Sequence, residues 1–334
     1  MPQRDLLLAT ASAVAVAIFL KKAYGRATSS PSRVRRHLKW VQAAQFKTLQ
    51  AEMETAVSLA VRCGEAMLSV SAPRGATLKD GTDGGIDPQT ATDVANEQLV
   101  MGTLQKEFPS HAVIGEETSA AAGKIPAIDA GTPTWIIDPI DGTQNFCHAL
   151  PESAVSIGLC VHGTPALGVI YDPFRDELYV GIASEAAAYL NGSLLPRVDA
   201  AAEVTALDKA MVLTDVGYER SAEGARRLAM CHEALLRSNT FAVRIIGTTV
   251  LALAWLAAGR ASAVYMGLHK KDCPKAWDWC AANAICTAVG VPFHRLQTDA
   301  PFDLTSTNIC VARSPALAMT LRSTLRAALG TAPS

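Results

Sequence analysis

The chain has 334 residues, a formal net charge of -1, 49% apolar residues and 18% charged ones. That supplies a large core for one big domain or two tightly joined ones, and it lacks the basic excess of a nucleic-acid binder. Eight scattered cysteines form no Cys-x-x-Cys pair, which argues against zinc and for buried thiols in a reducing compartment.

The first feature along the chain is an unbroken apolar run over residues 6–20, followed by Lys21, Lys22, Arg26, Arg33, Arg35, Arg36 and Lys39. The run is shorter than the roughly 20 residues of a spanning helix. A secretory signal carries its charge before the run, not after it. The pattern reads as a short membrane anchor or a targeting leader, with a buried helix as the plain alternative. As an anchor, the basic residues would leave the rest of the chain on the cytosolic side. Residues 27–33 are small and polar and read as a linker. The organisation expected is a leader with basic linker over 1–37 and a catalytic domain over 38–330.

Residues 38–70 carry apolar positions at helical spacing, as one long helix or two. Residues 77–87 are rich in Gly and Asp and read as a mobile loop. A helix over 92–108 and a short strand over 112–114 follow, then a loop over 120–131. Trp135-Ile136-Ile137 is a strand ending in an acidic turn. Residues 154–190 read as an antiparallel meander with tight turns at His162-Gly163 and Asn191-Gly192. From Met211 onward strands and helices alternate: strand 211–214, helix 222–237, a strand near Val243, helix 248–258, strand 261–266, helix 276–289, then a last strand and helix. An antiparallel half (38–200) followed by an α/β half (205–330) predicts a layered sandwich with its site where the halves meet.

The segment from Trp135 to Phe146 carries the strongest chemistry. A buried strand delivers Asp138 and Asp141, with Pro139 stiffening the turn and Gly142 letting the backbone reverse. Thr143, Gln144 and Asn145 then open a helix, whose unsatisfied N–H groups suit an anionic phosphate. Two carboxylates beside a phosphate seat suit magnesium, a hard ion held by oxygen ligands and substrate phosphate. The spacing is not the Asp-x-Asp of phosphatases with an aspartate nucleophile, and no P-loop is present. Glu116 and Glu117 follow the short strand. Asp93 and Asp278 each sit at a helix start, where capping would explain either one singly.

Four segments in order give the chain its resemblance: Asp87-x-x-Thr-Ala-Thr-Asp93, Gly115-Glu-Glu117, Trp135 to Phe146, and Trp277-Asp278. Over roughly residues 40–325 the chain resembles the inositol monophosphatase family of lithium-sensitive, magnesium-dependent phosphatases. The resemblance implies an αβαβα sandwich, of the type shared with fructose-1,6-bisphosphatases, and a homodimer acting on a small phosphate monoester. It implies metal ligation by Glu116, Asp138, Asp141, Asp278 and the Ile140 carbonyl. Asp93, Thr143 and Glu117 would position and deprotonate water. Asp141, Gly142, Thr143, Gly247, Thr249 and Lys275 would contact the substrate.

The resemblance departs from the family at the alcohol side. The family's inositol-contacting glutamate has no counterpart in the stretch Val264 to His269, and a basic insertion, Lys270 to Ala276, follows. Lys275 to Ile285 looks more like the membrane-anchored 3′-phosphoadenosine 5′-phosphate phosphatases of the same superfamily. Lys270, Lys271 and Lys275 could bind a second phosphate or form a solvated loop. A silent scaffold on the same fold is the alternative from another class.

Overall fold

The computed structural model describes residues 32–44, 46–70, 76–79, 87–199, 203–269 and 273–330. The apolar run, and Lys270 and Lys271, lie outside the described residues. Helix α1 (Ser32–Ala44) starts inside the stretch read as a linker. It turns at Leu49, whose φ of 56° is left-handed, into α2 (Gln50–Leu68), so the long apolar stretch becomes two packed helices. The ends of the Gly/Asp-rich segment pair as a ribbon, β1 (Thr77–Leu78) with β2 (Pro88–Gln89). Helix α3 (Ala91–Glu107) follows, capped by Thr90.

Strand β3 (Ala112–Gly115) runs directly into a short helix α4 (Glu116–Ala122), which periodicity had not revealed. Next come β4 (Thr134–Asp141), α5 (Thr143–Cys147), β5 (Ala154–Val161), β6 (Thr164–Asp172), β7 (Glu177–Ile182), β8 (Ala187–Leu190) and β9 (Ser193–Leu194). These strands form a seven-stranded sheet in sequential order, parallel between β3 and β4 and antiparallel thereafter. Alternate residues serve two cores. Trp135, Ile137, Ile157 and Val169 meet α1–α3, while Ile136 and Ile170 face the opposite way. Burial on both faces is why these strands read as near-continuous apolar runs.

The second half contributes β10 (Met211–Thr214), α6 (Ala222–Arg237), β11 (Ala242–Ile245), α7 (Thr249–Ala257), β12 (Ala263–Met266), α8 (Ala276–Ala288), β13 (Ile309–Ala312) and α9 (Pro315–Leu329). Its sheet has four strands in the order β11-β10-β12-β13, with β10 parallel to both neighbours. Helices α7 and α8 lie between the two sheets, and α6 and α9 cover the far side. The result is the αβαβα layering implied by the resemblance.

One device brings the halves together. Gly158, Gly168 and Gly181 are register partners on adjacent strands β5, β6 and β7. A Cβ at Gly158 would lie 2.6 Å from Cys280 Sγ, and one at Gly181 would lie 2.9 Å from Ile285 Cα. A Cβ at Gly168 would run into the Ala281 carbonyl. The glycine stripe therefore seats the α8 backbone directly on the sheet, and Asp278 stands in the first turn of that helix.

Candidate active site

A cleft of ≈ 200 Å³ opens where β4, the β10 end, the α7 start and the α8 start converge. Glu116, Asp138, Ile140, Asp141, Gly142, Thr143, Gly247, Thr249, Lys275 and Asp278 all line it. Asp93 and Glu117 stand behind this lining.

Asp138, Asp141 and Asp278 offer carboxylate oxygens within 4.8 Å of one another. Each is aimed by a backbone N–H. Ile140 donates to Asp138 Oδ1 at 3.0 Å, Val250 to Asp141 Oδ2 at 2.9 Å, and Lys275 to Asp278 Oδ2 at 2.5 Å. The Thr248 hydroxyl also donates to Asp141. Thr248 and Val250 were missed in the sequence because they hold a carboxylate more than a hundred positions away.

Burial pushes all three carboxyls up, and their neighbours' charges add to it. Asp138 lies well above its ordinary value through burial, then Glu116, Asp141 and Asp278. Asp278 rises through burial, then Asp141. Burial lifts Asp141 to about 7. The donors are all hard oxygens, and they crowd one another electrostatically. Both facts fit a divalent hard cation, which would draw these values back down.

Glu116 lies in the same cleft beside Asp138 but bonds to Lys79, whose Nζ is 2.7 Å from Glu116 Oε1. Lys79 also meets Glu117 at 3.2 Å and Asp87 at 3.7 Å. These carboxylates overcome burial and hold the ammonium above its ordinary range. The sequence reading missed Lys79, since a lysine in a Gly/Asp-rich segment carries no signal until the ribbon folds over. Glu117 accepts from Gln89, and burial, then Glu116, raise it.

Asp93 both caps its own helix and faces Thr143. It is the third helical residue rather than the N-cap. Its Oδ2 accepts from Thr90 N at 2.9 Å, while its Oδ1 lies 3.1 Å from the Thr143 hydroxyl. That hydroxyl is also 2.9 Å from the Ile140 carbonyl. Burial lifts Asp93 to about 7. Gly142 opens α5 at a φ of 83°, and a Cβ there would lie 2.8 Å from the Glu152 carbonyl. Asn145 ties α5 to both halves, donating to the Glu152 and Ile246 carbonyls at 2.8 Å each.

Asp215 and Tyr218 line the same cleft, beside Gly247, Thr249 and Lys275. Lys275 Nζ donates to the Cys273 carbonyl at 2.5 Å. Tyr265 sits in the buried core, and His269 pairs with Glu219 at 2.5 Å. Asp215 and Tyr218 were not singled out from the sequence, where they fall between the strand at 211–214 and the helix at 222–237.

The family model for the inositol monophosphatase family matches residues 49–329. The chain belongs to the inositol monophosphatase family. Inositol monophosphatase 2 of Rattus norvegicus is 36% identical over 276 residues, covering 82% of this chain and 89% of the relative. Inositol monophosphatase 1 of Solanum lycopersicum is 38% identical over 227 residues, covering 68% and 78%. Among solved structures, inositol monophosphatase from Anabaena superposes with a TM-score of 0.66 at 25% identity, covering 84% of this chain and 97% of that one. The fold is thus that of the family, and the chain is a phosphoric monoester hydrolase.

Proposed function

We propose that this family member hydrolyses inositol monophosphate with magnesium held by Glu116, Asp138, Asp141, Asp278 and the Ile140 carbonyl. The observation that carries the reading is the convergence of three carboxylates, two of them buried, to within 4.8 Å. The names of the curated relatives supply the substrate class. Bound in this donor set, magnesium would lower the pKa of water and offset the phosphate's charge.

The protein's own groups supply the rest. The start of α5, at Gly142 and Thr143, presents N–H groups to phosphate oxygens, whose charge grows in the transition state. The Thr143 hydroxyl has one proton and two acceptors. When the Ile140 carbonyl is engaged elsewhere, that proton points to Asp93, and Oγ accepts from the attacking water. Asp93, lifted toward neutrality by burial, is then the proton acceptor at the end of the relay. Glu117 is the alternative acceptor. No covalent nucleophile is required.

A second reading, a nucleotide bisphosphate substrate, is favoured by one feature. No acid stands between Val264 and His269, while Lys275 lines the cleft. The test is phosphate release with and without magnesium from inositol 1-phosphate and 3′-phosphoadenosine 5′-phosphate in parallel. Faster magnesium-dependent release from the first supports the primary reading, and the reverse order supports the second. No release from any monoester would point to a scaffold. We further propose a homodimer, inhibition by lithium, and attachment or targeting through residues 6–20, with the domain facing the cytosol if that run is an anchor.

A further inference from the structure

Helix α3 turns a buried polar face toward the site. Asn96 and Glu97 each stand one turn beyond Asp93, and the three have relative exposures of 0%, 0% and 3% in the order Asp93, Asn96, Glu97. Each grips a different turn. Asp93 meets Thr143 at the start of α5. Asn96 Nδ2 donates to the Pro139 carbonyl at 3.4 Å, within the turn that carries Asp138 and Asp141. Glu97 accepts from the Glu117 and Thr118 N–H groups, both at 2.8 Å, and from the Thr118 hydroxyl. Those donors are the first turn of α4, which begins with Glu116.

We propose that Asn96 and Glu97 are positioning residues that fix the spacing between Glu116 and the Asp138–Asp141 turn. Register between β3 and β4 ends at Gly115 opposite Ile137. Beyond it β3 turns at once into α4 while β4 runs on to Asp141 paired with β5, so pairing between β3 and β4 no longer sets the distance from Glu116 to the Asp138–Asp141 turn. Helix α3 bridges that gap. A Cβ on Gly115 would run into the Glu97 carboxylate, so the strand end is shaped to admit this side chain. Burying a carboxylate is costly unless its oxygens are bonded, and here three donors converge on it. An apolar side chain would fill the volume but leave the α4 N–H groups unmet.

The proposal rests on the reading of these carboxylates as cation ligands, and its test separates the two. Hydrogen exchange at residues 115–118 is measured on the metal-free protein, and manganese binding by calorimetry, for wild type, Glu97→Ala, Glu97→Gln and Leu104→Ala. Leu104 is a fully buried core position on the same helix. Glu97→Ala is expected to speed exchange at Glu117 and Thr118 and weaken manganese binding about 10–100-fold. Glu97→Gln, with one acceptor oxygen left, should fall between, and it carries the test if Glu97→Ala does not fold. Leu104→Ala should lower the melting temperature and leave manganese affinity unchanged. Wild-type manganese affinity in both Glu97 variants, or an equal loss in Leu104→Ala, overturns the positioning role alone. A wild-type protein that binds no manganese overturns the metal reading and this proposal with it.

Discussion

At the scale of residues, the site is a set of carboxylates held where they repel one another. Asp138→Asn or Asp278→Asn should cut turnover by orders of magnitude while circular dichroism stays that of wild type. Without metal, neither variant should melt below wild type, because removing one charge relieves crowding that burial has intensified. Near-normal turnover in either purified variant would sink the ligand assignment. Thr143→Val keeps the shape but removes the relay, and the loss should be about 10²–10⁴-fold in kcat. A kcat within twofold of wild type, about 0.4 kcal/mol, would exclude Thr143 from proton transfer.

At the scale of elements, the seating of α8 decides whether Asp278 joins its partners. Gly168→Ala would press on the Ala281 carbonyl and tilt the helix. The expected result is about 1–3 kcal/mol of destabilisation from overpacking, together with lost activity. Denaturant unfolding and phosphate release check the two arms. Docking of α1 depends on Asp176, which bonds Arg36, His37 and Tyr171. Burial pushes Asp176 up, but these bonds outweigh it and bring it to about 2. A depressed carboxyl stabilises the fold above its unfolded pKa near about 4 and loses that contribution as pH falls toward 2. Asp176→Asn should therefore remove about 1 kcal/mol at neutral pH, partial exposure having reduced the effect, and flatten the acid limb between pH about 4 and 2. Unfolding followed across that range tests it.

At the scale of the whole molecule, two sheets with helices between them close the cleft from both halves, so neither half holds the site alone. A chain beginning at Ser32 retains α1 and its bonds to the sheet, and is expected to keep its phosphate-releasing activity. It should lose whatever membrane sedimentation the full chain shows. Among the described residues no helix is long and apolar enough to cross a membrane. Light scattering should return about twice the 35.2 kDa chain mass if the domain dimerises.

The sequence by itself determined the strand-turn-helix of residues 135–146, the alternation of the second half and the order of the acidic motifs. Each of these is written in neighbouring residues. Apolar runs, a Pro-x-x-Gly turn and a Gly-Thr helix start act locally, so they are legible before the chain folds. The meander was legible for the same reason. The tertiary structure decided what depends on distance in space. Thr248 and Val250 hold Asp141, Lys79 folds over Glu116, Glu97 supports α4, and a glycine on each of three strands admits α8. No sequence window contains both partners of these contacts, and their residue types also occur as ordinary caps, turns and surface charges. Buried hydrogen bonds and close backbone approach separate the two uses, and both come into being when the sheets and helices stack.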